Sequence, residues 1–435
     1  AATTIGAMPP PTPYWSLRET VDTATRAPVH GSLDDILDQL DDVLGSAVRM
    51  RLHADVPLGA LLSGGIDSSL IVAMMQRHGA VNTRTFTISF EDAAYDEGAD
   101  ARRVAEHLGT EHVELSLGAG EALKTIPALP EIYDEPFADS SQVPTVVLAR
   151  LTREHVTVAL AGDGGDELFG GYNRYAWAEH YWRRARPVPR PLRRAAASAL
   201  RAIPPRSWDR LFHDARMVVP RSLRVRTPGM KIHKAADVLA ARDLRDAYMT
   251  LVSHFPDPTR LVLGSAEPPT SLTAPESWPA LAHPVASLMY LDALTYLPDD
   301  ILTKVDRATM AASLEARLPF LDHRVAAFAW RLPLELKVHE GTGKWLLRRL
   351  LDRYVPAPLV DRPKAGFGIP LDTWLRGPLR EWTDALLDEG RLRHEGYLDA
   401  ALVRQMWRDH LAGRHDHQYR LWDVLMFEAW LTAGR

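Results

Sequence analysis

The stretch that most constrains this chain is residues 56–75, VPLGALLSGGIDSSLIVAMM. Residues 56–62 form an apolar run of strand length. The run breaks at Ser63-Gly64-Gly65, and a helical pattern starts near Asp67, with Leu70, Ile71, Met74 and Met75 on one face. A strand, a glycine turn and a helix N-terminus present free backbone N–H groups and a positive dipole end to an anion. Glycine lets backbone approach a ligand, and Ser63, Ser68 and Ser69 add hydroxyls. The spacing fits neither a Walker loop nor GxGxxG. A turn without a ligand is the plainer reading, but two glycines and three hydroxyls at a helix start are costly without a use.

The first half of the chain repeats this alternation. TFTISF at 85–90, HVELSL at 112–117 and VTVALA at 156–161 read as strands. Between them, residues 97–108 read as a helix ending at Gly109, and a later helix carries Pro144 near its start. Ser32 and Asp35 form a capping-box pattern ahead of Leu33, Ile36, Leu37, Leu40, Val43, Leu44, Ala47 and Val48. Alternating strands and helices predict an α/β fold with a parallel sheet and crossovers. Ligands of such sheets sit beyond the carboxyl ends of the strands. VTVALA runs into GDGGDE at 162–167, so this turn and SGGIDSS can face one site. Residues 1–30 hold Pro9, Pro10, Pro11, Pro13 and Pro28 without a period. They read as a linker or extended arm, with Tyr14-Trp15 as its anchor.

Strand signals vanish over about 172–284. Arg183, Arg184, Arg186, Arg190, Arg193, Arg194, Arg201 and Arg206 fall there in a stretch without acids. A nucleic-acid patch is one reading. A solvated helical insertion is the better one, because the chain's net charge is −5 and aromatic residues are poorly interleaved. That net charge gives no overall bias toward nucleic acid or an anionic membrane. With 46% apolar and 25% charged residues over 435, the composition is that of a globular protein, and no apolar run reaches membrane-span length. Cysteine is absent, which excludes disulfides, thiolate metal sites and a cysteine nucleophile within these residues and fits a cytoplasmic protein.

Asp67, Asp163, Asp166 and Glu167 would crowd carboxylates beside a triphosphate. Bare carboxylates there require a divalent cation, and Mg²⁺ held by one or two carboxylates plus phosphate oxygens is the usual arrangement. The plainer readings are an Asx turn for Asp163 and a helix N-terminal charge for Glu167. Lys344 follows Gly341-Thr342-Gly343, in a loop able to close over phosphate, although a lone lysine is usually solvated.

Segment 63–69 resembles the pyrophosphate loop (PP-loop) of ATP pyrophosphatases. More broadly, SGGIDSS at 63–69, GDGGDELFGGY at 162–172, KVDRATMAASLEARLPFLD at 304–322 and RPKAGFGIP at 362–370 occur in the order seen in glutamine-hydrolysing asparagine synthetases. The likeness runs from about Tyr14 to the end of the chain. It implies an adenine nucleotide alpha-hydrolase-like core with a helical insertion at about 172–284 and a helical C-terminal part, all within one amide-forming domain at 31–435. It implies ATP contacts at Leu61, Ser63, Gly64, Gly65, Asp67, Ser68, Ile88, Ala161 and Gly162, and Mg²⁺ at Asp67 and Asp166. Lys344 stands at the family's catalytic lysine. Asp163 stands at the candidate base for ammonia, one methylene shorter than the Glu of some members.

The implied reaction joins aspartate, ATP and ammonia into asparagine, AMP and pyrophosphate through β-aspartyl-AMP. The expected partners are these small molecules and a glutaminase domain or subunit, with no nucleic acid and no membrane; a homodimer is compatible. The family's glutaminase domain and its cysteine nucleophile do not occur in these residues. Cropping is the favoured reading over a separate subunit, because the match starts almost at Ala1. Two alternatives stand beside asparagine synthesis. One is amide formation on another acid, giving a β-lactam or a peptide macrolactam, but DEPFADSS and SLEARLPFLD look like the aspartate-using branch. The other is a catalytically silent scaffold, which the presence of Asp67, Asp166 and Lys344 opposes.

Overall fold

The computed structural model describes residues 12–79, 83–90, 98–175, 184–214, 228–274, 278–279, 281–361 and 368–434. Its centre is a five-stranded parallel sheet of β1 (Leu58–Leu61), β2 (Arg84–Phe90), β3 (Glu111–Leu117), β4 (Val158–Leu160) and β5 (Glu315–Arg317). The spatial order is β3-β2-β1-β4-β5. β1 pairs with β2 through Gly59↔Arg84 and with β4 through Gly59↔Ala159. The order of the strands reverses between β1 and β4, which opens a crevice at their carboxyl ends. The turns after these two strands are SGGIDSS and GDGGDE, so the chain order itself places both at that crevice.

Apolar side chains cover both sheet faces. Ala60 and Leu160 join one core with Leu40, Leu44, Leu70 and Met74, whereas Phe86, Ile88 and Ala159 join another with Val143, Val147, Trp407 and Trp422. The first layer includes α1 (Leu17–Arg26), α2 (Leu33–Arg51), α3 (Ile66–Arg77) and α4 (Gly98–Leu108). The capping box is present: Ser32 Oγ accepts from Asp35 N–H at 3.2 Å, and Asp35 Oδ2 accepts from Ser32 N–H at 3.0 Å. The second layer is formed by the helix Gln142–Arg153 and C-terminal helices, chiefly Ala400–Leu411 and Gln418–Ala433.

The structure corrects two expectations. The 1–30 arm is not extended throughout, because α1 lies within it. Ser16 caps α1, Val21 and Ala24 are buried, and Val29 N–H donates to Arg331 O at 2.9 Å. These residues anchor the arm, whereas Tyr14 is fully exposed and Trp15 is also exposed. Second, β5 is an added strand. Its sequence Glu-Ala-Arg has no apolar run, and it is held by Ala161 N–H donating to Arg317 O and by Leu314 buried just before it. β2 ends at Phe90, as TFTISF predicts, and Ile88 lies inside it. Among the described residues of 172–284 no sheet strand occurs, and four α-helices do: Arg190–Ala202, Pro205–Asp214, Pro228–Ala240 and Leu244–Val252. Most of RPKAGFGIP, including Lys364, lies outside the described residues. No described helix is long and apolar enough to cross a membrane.

Candidate active site

The PP-loop turn is built by backbone before side chains. Gly64 sits at φ 70°, and a Cβ there would lie 2.9 Å from Ala101 N and from the Asp100 carbonyl carbon, so only glycine lets the turn rest on α4. Gly65 caps α3 in an extended conformation with no side-chain bond to the helix start. Ser63 and Ser68 close the turn through a 3.1 Å contact between hydroxyls, and Ser63 Oγ accepts from Gly65 N–H at 3.3 Å. Ser69 is fully buried, so it is not one of the turn's accessible hydroxyls. Leu61 ends β1, while Ile88 is buried in the core and offers a ligand its backbone only.

The second turn packs directly onto the first. A Cβ on Gly165 would lie 2.7 Å from the Asp67 carboxyl, and one on Gly162 would lie 2.8 Å from Ser68 N. These close approaches bring Asp67, from the first turn of α3, to Asp166, from the first turn of the helix Gly165–Phe169. Ala161 is buried and donates its N–H to Arg317 O at 3.0 Å, which ties the turn to β5.

Lys344 completes the group. It ends the hairpin of β6 (Val338–His339) and β7 (Thr342–Gly343) and starts the helix Trp345–Leu351. It is therefore set at a strand-to-helix junction and not in the middle of a loose loop. Its backbone is left-handed at φ 55°, a conformation that costs a non-glycine residue on the order of 1–3 kcal/mol. Its N–H donates to Phe169 O at 3.1 Å. The side chain is buried, its ammonium bonded to Asp67 and 2.7 Å from Asp166 Oδ1. Burial alone would depress this ammonium, but the two carboxylates overcome that and hold it above its ordinary range. At Gly171 any Cβ would overlap the Asp166 carboxyl and Lys344 Cε. Two hard oxygen donors thus converge on one positive charge, and this donor set fits a divalent cation such as Mg²⁺.

A second charged group lies near Asp163. Lys304 falls in KVDRATMAASLEARLPFLD, Asp139 in DEPFADSS and Asp300 just ahead of the former, and none of the three stands out by spacing. Lys304 Nζ lies 2.6 Å from Asp139 Oδ2, and Asp300 lies near enough to the pair to feel both charges. Burial and the Asp139 charge push the Asp300 carboxyl up. Burial would also raise Asp139, but Lys304 outweighs it and holds that carboxyl down. Asp163, half-buried, is pushed up by burial, and the nearby Lys304 and Lys344 charges partly offset this. Asp300 belongs to a π-helical segment, Asp292–Leu302, that contains Pro298; such wide turns recur at functional sites. Glu167 is no surface helix charge. It is buried, accepts from the Tyr172 hydroxyl at 2.5 Å, and is pushed up to about 7 by burial.

A parallel sheet with a glycine turn at its switch point, and two carboxylates and a lysine gathered beside it, is the arrangement of a PP-loop-type core. The asparagine synthase family pattern matches residues 39–432, and the chain belongs to that family. A putative glutamine-hydrolysing asparagine synthetase of Mycobacterium tuberculosis H37Rv is 37% identical over 405 residues, which is 90% of this chain and 57% of the relative. Glutamine-hydrolysing asparagine synthetase 1 of Bacillus subtilis 168 is 31% identical over 93% of this chain and 60% of its own length. An amidase of Gibberella zeae is 26% identical over 89% of this chain and 60% of its own. The chain therefore spans less than two thirds of the curated relatives it matches.

Proposed function

We propose that residues 31–435 form one ATP-dependent amide-forming domain, with the helical insertion at about 172–284, and that its acceptor is aspartate. The β-carboxylate oxygen of aspartate attacks the α-phosphorus of ATP and pyrophosphate leaves, giving β-aspartyl-AMP. Ammonia then attacks the activated carbonyl carbon, its proton passes to Asp163, and AMP leaves. The α3 N-terminus with Ser63, Gly64, Gly65 and Ser68 receives phosphate, and Lys344 offsets charge that grows on the departing pyrophosphate. Asp67 and Asp166 would hold Mg²⁺, which supplies charge neutralisation at the phosphates when bound. Ammonia reaches the site from a glutaminase domain or subunit.

The observation that carries this reading is the convergence of Lys344 with Asp67 and Asp166 at the mouth of the PP-loop turn. The Lys304–Asp139–Asp300 group supports an α-amino acid acceptor, because it offers opposite charges in one small volume next to Asp163. The amidase-named relative supports a second reading, amide formation on another acid. ATP–pyrophosphate exchange against a panel of acids tests both. Exchange that depends on aspartate, with product formed from ammonium salts, is the expected result. Exchange driven only by another acid moves the assignment to the second reading. No exchange with any acid, or glutamate release from glutamine by this cysteine-free chain, overturns the proposal.

A further inference from the structure

The helical insertion carries an exposed face that none of this chemistry uses. Residues 184–214 contain eight arginines and two aspartates, in a chain whose net charge is −5. The helix Arg190–Ala202 turns Arg193 and Ala197 inward, where the Arg193 guanidinium donates to Leu239 O and Ala241 O. At about 100° per residue, its opposite face collects Leu192, Ala195, Ala196, Ala199 and Ala202, and all five are exposed. Arg190, Arg194 and Arg201 share a stripe between the inward Ala197 and the exposed Ser198 and Pro191, on one flank of that face. Arg201 is paired with Asp237, but Arg184, Arg186, Arg190, Arg194 and Arg210 make no ion pair among the described residues. Leu192 is 62% exposed and Leu211, on the next helix, 56%, with Val188 and Ile203 also exposed.

An apolar outer face flanked by arginines inverts the usual arrangement of a surface helix, whose outer face is polar. Leucine and valine side chains left in water while arginine stems flank them are the features of an interfacial helix. A second copy of this face is a poor match, because it would set arginine against arginine. We propose that this insertion docks the protein on an anionic membrane surface, with Leu192, Leu211, Val188 and Ile203 entering the headgroup boundary and Arg190 and Arg194 pairing with lipid phosphates. The docking is peripheral, and no described helix is of spanning type.

Cosedimentation of the full chain with phosphatidylcholine vesicles, with and without phosphatidylglycerol, tests this. The bound fraction is expected to rise at least about tenfold with phosphatidylglycerol and to fall steeply as salt is added, because the attraction decays over a Debye length. Arg190→Glu with Arg194→Glu should abolish binding, and Leu192→Ser with Leu211→Ser should weaken it at every salt concentration. All four positions are exposed, and ATP–pyrophosphate exchange should be unchanged in both variants, which also reports intact folding. Equal binding to both vesicle types, no binding to either, or undiminished binding by the variants overturns the proposal. So does a chain that binds a soluble acidic polypeptide or an oligonucleotide and ignores the vesicles.

Discussion

Replacing Lys344 by alanine should separate the chemistry of the site from its architecture. The lysine side chain is 10% exposed, and its partners Asp67 and Asp166 are 15% and 19% exposed. Removing one partner of a fully buried ion pair costs about 3–5 kcal/mol. Partial solvation of both carboxylates lowers the expected loss here to roughly 1–3 kcal/mol of stability. The rate effect should be larger in kind, because a preorganised cation aimed at a departing phosphate contributes on the order of 10²–10³. Exchange turnover at saturating ATP should fall by that factor with little change in ATP affinity, since the contact strengthens as charge develops. Arginine should restore little, because a planar fork does not reproduce a compact ammonium. A second readout follows from the geometry. If Asp67 and Asp166 hold the cation, in the free enzyme Lys344 and a divalent cation would compete for the same two carboxylates. Without nucleotide, Mg²⁺ or Mn²⁺ should therefore raise the melting temperature of Lys344→Ala by several degrees and that of the parent chain by much less. If the variant keeps turnover within tenfold, or if the cation stabilises both proteins equally, Lys344 is a ground-state phosphate contact and the competition argument fails.

Glu167 gives a pH test: its carboxyl is pushed up to about 7 in the folded chain from a reference of 4.5, so the folded state holds the proton more tightly and stability declines as pH rises from about 4.5 through about 7. Glu167→Gln keeps an acceptor for Tyr172 and removes the ionisation, so it should melt with the parent at pH 5 and above it at pH 8, by up to ~3 kcal/mol; the same pH dependence in both proteins would refute this. Gly171→Ala should place a methyl against Asp166 and Lys344, lowering exchange by at least about tenfold while leaving the far-UV spectrum and core melting nearly intact; unaltered exchange would show that the ion-pair geometry is not needed.

Much of the fold was readable because its signals are local. Strand-length apolar runs, Ser32 with Asp35, and Gly109 after its helix each express a one-turn or one-strand physical rule. The misses are elements stabilised from a distance. α1 is ten residues long and rests on buried Val21 and Ala24, too few apolar positions to outweigh five prolines in the surrounding arm. β5 is a strand because β4 offers it a ladder, and Glu-Ala-Arg has no preference that announces it.

The site divides along the same line. Asp67 and Asp166 sit on glycine turns after apolar strands, so their placement follows from the sheet's order, and sequence reasoning reaches them. The left-handed backbone of Lys344 and its place between two carboxylates depend on a hairpin meeting the 169–171 segment, which no spacing rule encodes. Lys304, Asp139 and Asp300 come from three separate segments, and each alone reads as an ordinary surface charge. Net charge misleads in a related way. It sums the arginines of residues 184–214 with acids elsewhere in the chain, whereas an interface responds only to what lies within a Debye length of it. The exposed face of Arg190–Ala202 is therefore the feature whose meaning changes most once side chains are placed, because only the fold shows that its arginines border leucine and alanine facing solvent.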